Sequence, residues 1–217
     1  MPDYAEQRFN MIASQVLASG VTDERILAAL SKVERERFVP TVKRHIAYAE
    51  VPVEVVSGRY LTDPRNFALM LDAAEISRED KVLDVGCATG YSTAVLAQLA
   101  ARVVGLEQDA DLVRIAAEMM QTLNLNSAAI VQGALADGFR GEAPYDVIFV
   151  NGGVETVPPV LLAQLAQGGR LVAVVGKTGE SRAMVYLNEN GRIGHRMAFD
   201  ASVPALADFR RPVGFVF

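Results

Sequence analysis

The chain has 217 residues, 51% of them apolar, with 21 Lys and Arg against 26 Asp and Glu for a formal net charge of −5. That length suits one α/β domain with an appendage rather than two full domains, and the acidic balance, with no cluster of lysines or arginines, argues against nucleic acid as a partner. No stretch approaches the roughly 18–20 apolar residues of a membrane span, the N-terminus lacks the pattern of a secretory signal, and two histidines with the single Cys87 make a poor zinc set, so the expectation is a cytoplasmic protein without a metal.

In chain order, residues 5–19 and 23–34 read as two helices. Phe9, Ile12, Val16 and Leu17 fall near helical spacing in the first, and Thr22 or Asp23 can cap the second, whose apolar face is Ile26, Leu27, Leu30 and Val33. From 38 to 58 the pattern turns extended, with Val51, Val53 and Val55 alternating against Glu50, Pro52 and Glu54. Residues 59–64 then form a loop and 65–74 a helix entering the core. The first 60 residues are expected to act as a cover that contributes to an acceptor site, and 61–217 as the main domain.

The most informative run follows. Val82-Leu83-Asp84-Val85 is an apolar strand that breaks at Gly86-Cys87-Ala88-Thr89-Gly90 into a helix over 91–99, and Glu107 ends the next apolar run. A strand-turn-helix-strand unit of this spacing aims a carboxylate at the two hydroxyls of a ribose, while Gly86 lets backbone approach the ligand. A dinucleotide needs G-x-G-x-x-G to lay its pyrophosphate on the helix N-terminus. Here Ala88 replaces the middle glycine and Tyr91 follows the last, which crowds a pyrophosphate and favours S-adenosylmethionine; a dinucleotide, or a turn without ligand, stands as the alternative. Asp84 either holds the amino-acid end of the ligand or braces the glycine loop.

Strands at 81–85, 102–106, 128–131, 145–150 and 170–175 alternate with helices at 91–99, 109–123 and 156–166, the signature of a parallel sheet covered on both faces. Asp109 caps the second helix, and Leu112, Ile115, Ala116, Met119 and Leu123 form its buried stripe. Segments 183–187, 193–199 and 212–217 alternate in period two around the turn Asn188-Glu189-Asn190-Gly191. The predicted architecture is therefore a Rossmann-like α/β methyltransferase fold: a mostly parallel central sheet, antiparallel C-terminal strands and an N-terminal helical segment.

Over most of its length the chain resembles the protein-L-isoaspartate O-methyltransferases. The resemblance is carried by Val21-Thr22-Asp23 with Ile26-Leu27, Arg35-Glu36-Arg37-Phe38-Val39-Pro40, Ala47-Tyr48-Ala49-Glu50, Gly58 to Pro64, Val82 to Tyr91, Pro144-Tyr145-Asp146, Gln164-Leu165 and Gly168-Gly169-Arg170-Leu171. It implies methyl transfer from S-adenosylmethionine to the misplaced carboxylate of an isoaspartyl residue in a damaged protein or peptide. The cofactor would be held by Asp84, Gly86, Cys87, Ala88, Thr89, Gly90, Glu107, Gln108, Ala134, Leu135 and Asn151. Thr62 and Asp63 fall where the family's Gly-Gln-Thr-Ile-Ser-Gln-Pro loop, here Gly58-Arg59-Tyr60-Leu61-Thr62-Asp63-Pro64, carries the serine that touches the substrate carboxylate.

Three departures stand out. Asp63 adds a charge to the acceptor loop; Gly133-Ala134-Leu135 replaces the Gly-Asp-Gly whose acid reads the adenine, with Asp137 as the nearest acid; and the chain ends Phe215-Val216-Phe217 where the family has Phe-Val-Pro-Leu.

Methyl transfer to an ionised carboxylate needs no general base, so alignment and desolvation carry the catalysis. Thr62 would orient the acceptor or cap a turn, and Asp63 would face the acceptor or cap the helix after it. Arg59 and Arg65 flank this loop; His45 and His195 are expected to take no part. A methyltransferase of this fold with another acceptor, and a non-catalytic cofactor binder, remain open readings.

Overall fold

The computed structural model describes residues 3–177 and 180–209. The first predicted helix is α1 (Tyr4–Met11), continued by a π turn over Ile12–Val16 and a 3-10 turn over Leu17–Ser19, and ended by Gly20 at φ +96°. Asp23, whose carboxylate accepts from Arg25 N, caps α2 (Glu24–Lys32), which buries Ile26, Ala29 and Leu30.

The expected extended run after residue 38 is mostly not strand. Arg35–Phe38 and Thr41–Ile46 wind into 3-10 turns. Only β1 (Val53–Val56) is extended, with Val53 and Val55 inward as the alternation requires and Val51 exposed. The expected loop after it is also corrected: β2 (Arg59–Leu61) pairs antiparallel with β1, and Gly58 at φ +77° makes the tight turn of the hairpin. Helix α3 (Pro64–Ala74) starts with Pro64 in its first turn, where the missing N–H costs nothing.

The main sheet contains β3 (Lys81–Val85), β4 (Arg102–Glu107), β5 (Ala128–Gln132), β6 (Tyr145–Val154), β7 (Leu165–Val175), β8 (Arg182–Glu189) and β9 (Arg192–Asp200). Their order is β5-β4-β3-β6-β7-β8-β9, parallel through β7 and antiparallel for the last two pairings, as the sequence pattern indicated. The strand order reverses between β3 and β6, and the carboxyl ends of the strands at such a switch point are where open α/β sheets bind ligands. The segment 212–217 lies outside the described residues.

Alternation along each strand divides the core in two. Val82, Val147, Phe149 and Val172 face one cluster, which also holds Met11, Leu30, Phe38, Phe67 and Leu71 from the N-terminal segment and α3. Leu83, Val85, Ile148 and Leu171 face the other, with Leu135, Leu161 and Leu206. The first 60 residues thus share a core with the sheet. Phe67 is packed between Tyr91 and Phe149 at centroid distances of 5.5 and 5.8 Å.

Helices α4 (Tyr91–Leu96), α5 (Ala110–Thr122) and α6 (Pro159–Leu162) cover the sheet. Asp109 caps α5 by accepting from Asp111 N and Leu112 N. The helix expected over 156–166 is a single turn, because Leu165 already pairs with Tyr145 in β7. The chain then bulges at Gly168 and Gly169, and a Cβ on Gly169 would lie 2.8 Å from Tyr145 O.

Candidate functional site

The glycine loop leaves β3 with Gly86 at φ +79°, and both Gly86 N (2.9 Å) and Cys87 N (3.2 Å) donate to Leu106 O of the neighbouring strand. Ala88 sits at φ +49° and Gly90 at φ +92°, the latter capping α4 so closely that a Cβ would come 3.1 Å from Ala116 Cβ. The loop thereby brings Ala88 N to the end of β4, where Glu107 stands fully buried.

Glu107 is the best-satisfied carboxylate of the site. Its Oε2 accepts from Ala88 N at 3.0 Å, and its Oε1 accepts from Gln108 N (2.7 Å), Asp109 N (3.2 Å) and Arg59 Nη2 (2.9 Å). Gln108 is itself exposed, its carbonyl taken by Gln132 Nε2. A buried carboxylate at this strand end, next to glycines in positive-φ conformations, fits the ribose of a nucleoside cofactor.

Asp84, also fully buried, accepts from Ser92 Oγ (2.6 Å) and Thr93 Oγ1 (2.6 Å) on one oxygen and from Asn151 Nδ2 (3.2 Å) on the other. Burial raises its pKa against the opposing pull of the three donors, and the net value is about 6. Of its two expected roles the geometry shows the brace: Asp84 pins the first turn of α4 and thereby the loop before it. Ser92 and Thr93 went unnoticed in the sequence, although hydroxyls in the first helical turn after a glycine loop are well placed to reach back to the strand.

Asn151 connects this brace to the acceptor loop. Because Nδ2 faces Asp84, Oδ1 faces outward and lies 3.5 Å from Thr62 Oγ1, a long contact that leaves the hydroxyl easily turned to another acceptor. Thr62 is held from behind by Arg35, a residue the sequence pattern marked only as part of Arg-Glu-Arg-Phe-Val-Pro. Arg35 is 1% exposed, donates from Nη2 to Thr62 O (2.8 Å) and from Nε to Ala47 O (2.7 Å), and lies over the Tyr91 ring at 4.7 Å. Burial lowers its pKa, opposed by Tyr91 and by the charge of Asp63. Arg35, Tyr60, Thr62, Gly86, Ala88 and Asn151 line a cavity of about 10 Å³, room for a single water.

Asp63 is placed differently from the catalytic role expected of it. Its two carboxylate oxygens accept from Asn66 N and Asn66 Nδ2, both at 2.9 Å, so it is the N-cap of α3, favoured there by the helix dipole. Thr89 turns its hydroxyl to Phe38 O (2.7 Å) and ties the glycine loop to the N-terminal segment. Cys87 is buried and its thiol is pushed well up by burial, which leaves it a small apolar filler. Ala134 is exposed beside the end of β5, whereas Leu135 is buried and would lie 3.6 Å from a Cβ on Gly86. Asp137 is exposed. Asp146 accepts from Lys81 N at 2.8 Å and serves the fold. His45 and His195 are exposed, the latter against Tyr186.

A Val-Pro pair does reach the site, although earlier in the chain than the terminus. Pro204 O accepts from Gly153 N (2.9 Å), Gly153 O accepts from Leu206 N (2.8 Å), and Leu206 lies 3.4 Å from where a Cβ on Gly86 would be. Residues 215–217 lie outside the described residues.

Residues 7–203 match the family model described as protein-L-isoaspartate(D-aspartate) O-methyltransferase. The chain belongs to this family. It is 37% identical over 190 residues to a protein-L-isoaspartate O-methyltransferase of Koribacter versatilis, covering 88% of this chain and 86% of that one. It is 38% identical over 175 residues to the protein of that name from Protochlamydia amoebophila, covering 81% and 83%. A Plasmodium falciparum structure described as this enzyme in complex with S-adenosyl-L-homocysteine shares the fold at TM-score 0.79, with 21% identity over 96% of this chain and 100% of that one. As a member of the protein-L-isoaspartate O-methyltransferase family, the chain is an S-adenosylmethionine-dependent methyltransferase. Among the described residues no helix is long and apolar enough to cross a membrane, and no cluster of His, Cys, Asp or Glu could hold a metal ion.

Proposed function

We propose that the chain methylates the free carboxylate of isoaspartyl residues in cytoplasmic proteins, with Thr62 orienting the acceptor and Glu107 holding the ribose of the cofactor. The observation that carries this reading is the hydrogen-bonded series Thr62, Asn151, Asp84, which runs from the acceptor loop to the strand beneath the glycine loop. It couples the two sides of one small cavity, so that acceptor and cofactor are aligned by the same braced elements.

S-adenosylmethionine supplies a methyl group on a sulfonium, an electrophile that an ionised carboxylate attacks without a base. Glu107 would take the ribose hydroxyls, Gly86 would present no side chain to the cofactor, and Ala134 with Leu135 would flank the adenine side. Asp84 and Asn151 keep the loop and Thr62 in register. Thr62 donates its hydroxyl to the acceptor carboxylate, replacing lost water without quenching the nucleophile. Residues 1–60 act as a cover that completes the acceptor site, a role supported by the Arg35 bond to Thr62 O and the Thr89 bond to Phe38 O. Asp63, engaged with Asn66, does not oppose an anionic acceptor from the catalytic side of the loop.

Release of S-adenosylhomocysteine and methyl ester is measured with an isoaspartyl peptide and with its normal aspartyl isomer. Only the isoaspartyl peptide turns over, Thr62→Ala lowers kcat/KM by on the order of tenfold or more, and Thr62→Ser retains most of it. A protein that binds S-adenosylhomocysteine and leaves isoaspartyl peptides unmethylated has a different acceptor.

A further inference from the structure

A cleft of about 820 Å³ lies outside the site described above. It opens between Arg65 and Asn66 in the first turn of α3 and Glu180, Arg182, Asp200 and Ser202 at the start of β8 and the end of β9. Both walls stand at the carboxyl edge of the sheet. Arg182 pairs with Val175, the last residue of β7, and with Asp200 of β9. Arg170, which pairs with Val147 near the amino end of β6, donates to Ala74 O and Glu75 O, so α3 ends at the amino edge and begins at the carboxyl edge, directly after Thr62 and Asp63.

Strand order sets the cleft apart from the cofactor and close to the acceptor. From β4, which ends in Glu107, to β8 is four strand steps, roughly 19 Å; from β6, which carries Asn151, it is two, roughly 10 Å. An extended chain rising about 3.3 Å per residue covers the shorter span in about three residues. An isoaspartyl residue lies within a peptide, and the cavity of about 10 Å³ beside Thr62 has no room for the residues around it.

We propose that the cleft is the subsite for residues flanking the isoaspartyl, about three positions from it, and that Arg65 selects an acidic side chain there. The inference rests on the isoaspartyl reading above. The Arg65 guanidinium stands on the wall that continues the acceptor loop; it is exposed and makes no hydrogen bond or ion pair with another described residue. On the opposite wall the charges are already partly balanced, with Arg182 3.5 Å from Asp200. An anion entering beside the acceptor loop therefore meets a cation without a carboxylate of its own, while Glu180 and Asp200 lie across the cleft.

The test compares a capped isoaspartyl tripeptide, a nonapeptide with alanine flanks, and nonapeptides with Glu three positions before or after the isoaspartyl. With wild type the alanine nonapeptide has a lower KM than the tripeptide, and Glu on one side lowers KM further by about three- to fivefold, the scale of an exposed ion pair. That gain shrinks in high salt. Arg65→Ala removes it, and Arg65→Glu reverses it in favour of Lys at the same position. Each readout is a ratio of KM values within one chain, so a general change in activity cancels. Equal KM for the tripeptide and the alanine nonapeptide overturns the cleft as a subsite; a Glu gain absent from wild type, or retained in Arg65→Ala, overturns the role of Arg65. A wild type that binds S-adenosylhomocysteine and methylates none of the peptides overturns the isoaspartyl reading and this inference with it, whereas turnover without these ratios overturns the inference alone.

Discussion

Asp84→Asn should make the protein more stable at neutral pH and remove most of one pH dependence. The carboxyl is fully buried and its pKa is raised from 3.8 to about 6, so its ionised form is disfavoured by folding. At about 1.36 kcal/mol per pH unit, that rise corresponds to a penalty on the order of 3 kcal/mol. Folding takes up a proton between pH 3.8 and about 6; the penalty is absent below that window and complete above it, and stability contributed by this group falls as pH rises through it. Asparagine imitates the protonated form. Its oxygen can keep Ser92 and Thr93, but its NH₂ then faces Asn151 Nδ2, so Asn151 must turn over and present an N–H to Thr62. Urea unfolding of both chains at intervals from pH 4 to 8 should give equal stabilities at the acid end and an advantage of about 2–3 kcal/mol for the variant above pH 6.5. The turned amide should also lower the rate on isoaspartyl peptide, since Thr62 loses its acceptor in the relay. A stability difference that does not change with pH would refute the reasoning.

Asp63→Ala should cost about 1 kcal/mol, the usual worth of a lost N-cap, and Asp63→Asn much less, both read from thermal unfolding; isoaspartyl kcat/KM should change little in Asp63→Asn. Ala88, at φ +49°, carries the strain of a left-handed residue with a Cβ, so Ala88→Gly should stabilise by roughly 0.5–1 kcal/mol in denaturant titration; a loss of stability would show that the methyl group's packing outweighs the strain. Gly105→Ala puts a methyl 2.7 Å from both Thr93 Oγ1 and Ile130 Cδ1, which should push Thr93 off Asp84, destabilise by about 1–3 kcal/mol and weaken S-adenosylhomocysteine binding in calorimetry.

Local chemistry made much of this protein legible. The run from Val82 to Glu107 announces its strand, turn, helix and strand because glycine positions and apolar periodicity are properties of neighbouring residues, and the structure has them in that order, with the helix expected over 91–99 ending at Leu96. The antiparallel ending was equally plain from the alternation around Asn188 to Gly191. Where apolar alternation was brief, at 38–61, the sequence could not separate 3-10 turns from strands, since β1 and β2 exist only by pairing with each other and packing on the shared core. Asp63 shows the same limit in one residue: a carboxylate before a proline reads as acceptor-site charge or as helix cap, and only the position of Asn66 decides.

The sequence by itself determined the fold class and the strand, glycine turn, helix and strand from Val82 to Glu107, because each depends on backbone conformations and spacings between near neighbours. The tertiary structure alone decided who holds these groups. Arg59 reaches Glu107 across 48 positions, Thr62 meets Asn151 across 89 and Asn151 meets Asp84 across 67. Such partners are brought together by strand order and by the packing of the N-terminal segment on the sheet. No local pattern encodes them, since the free energy that selects them comes from burying a common core rather than from the residues' own neighbours.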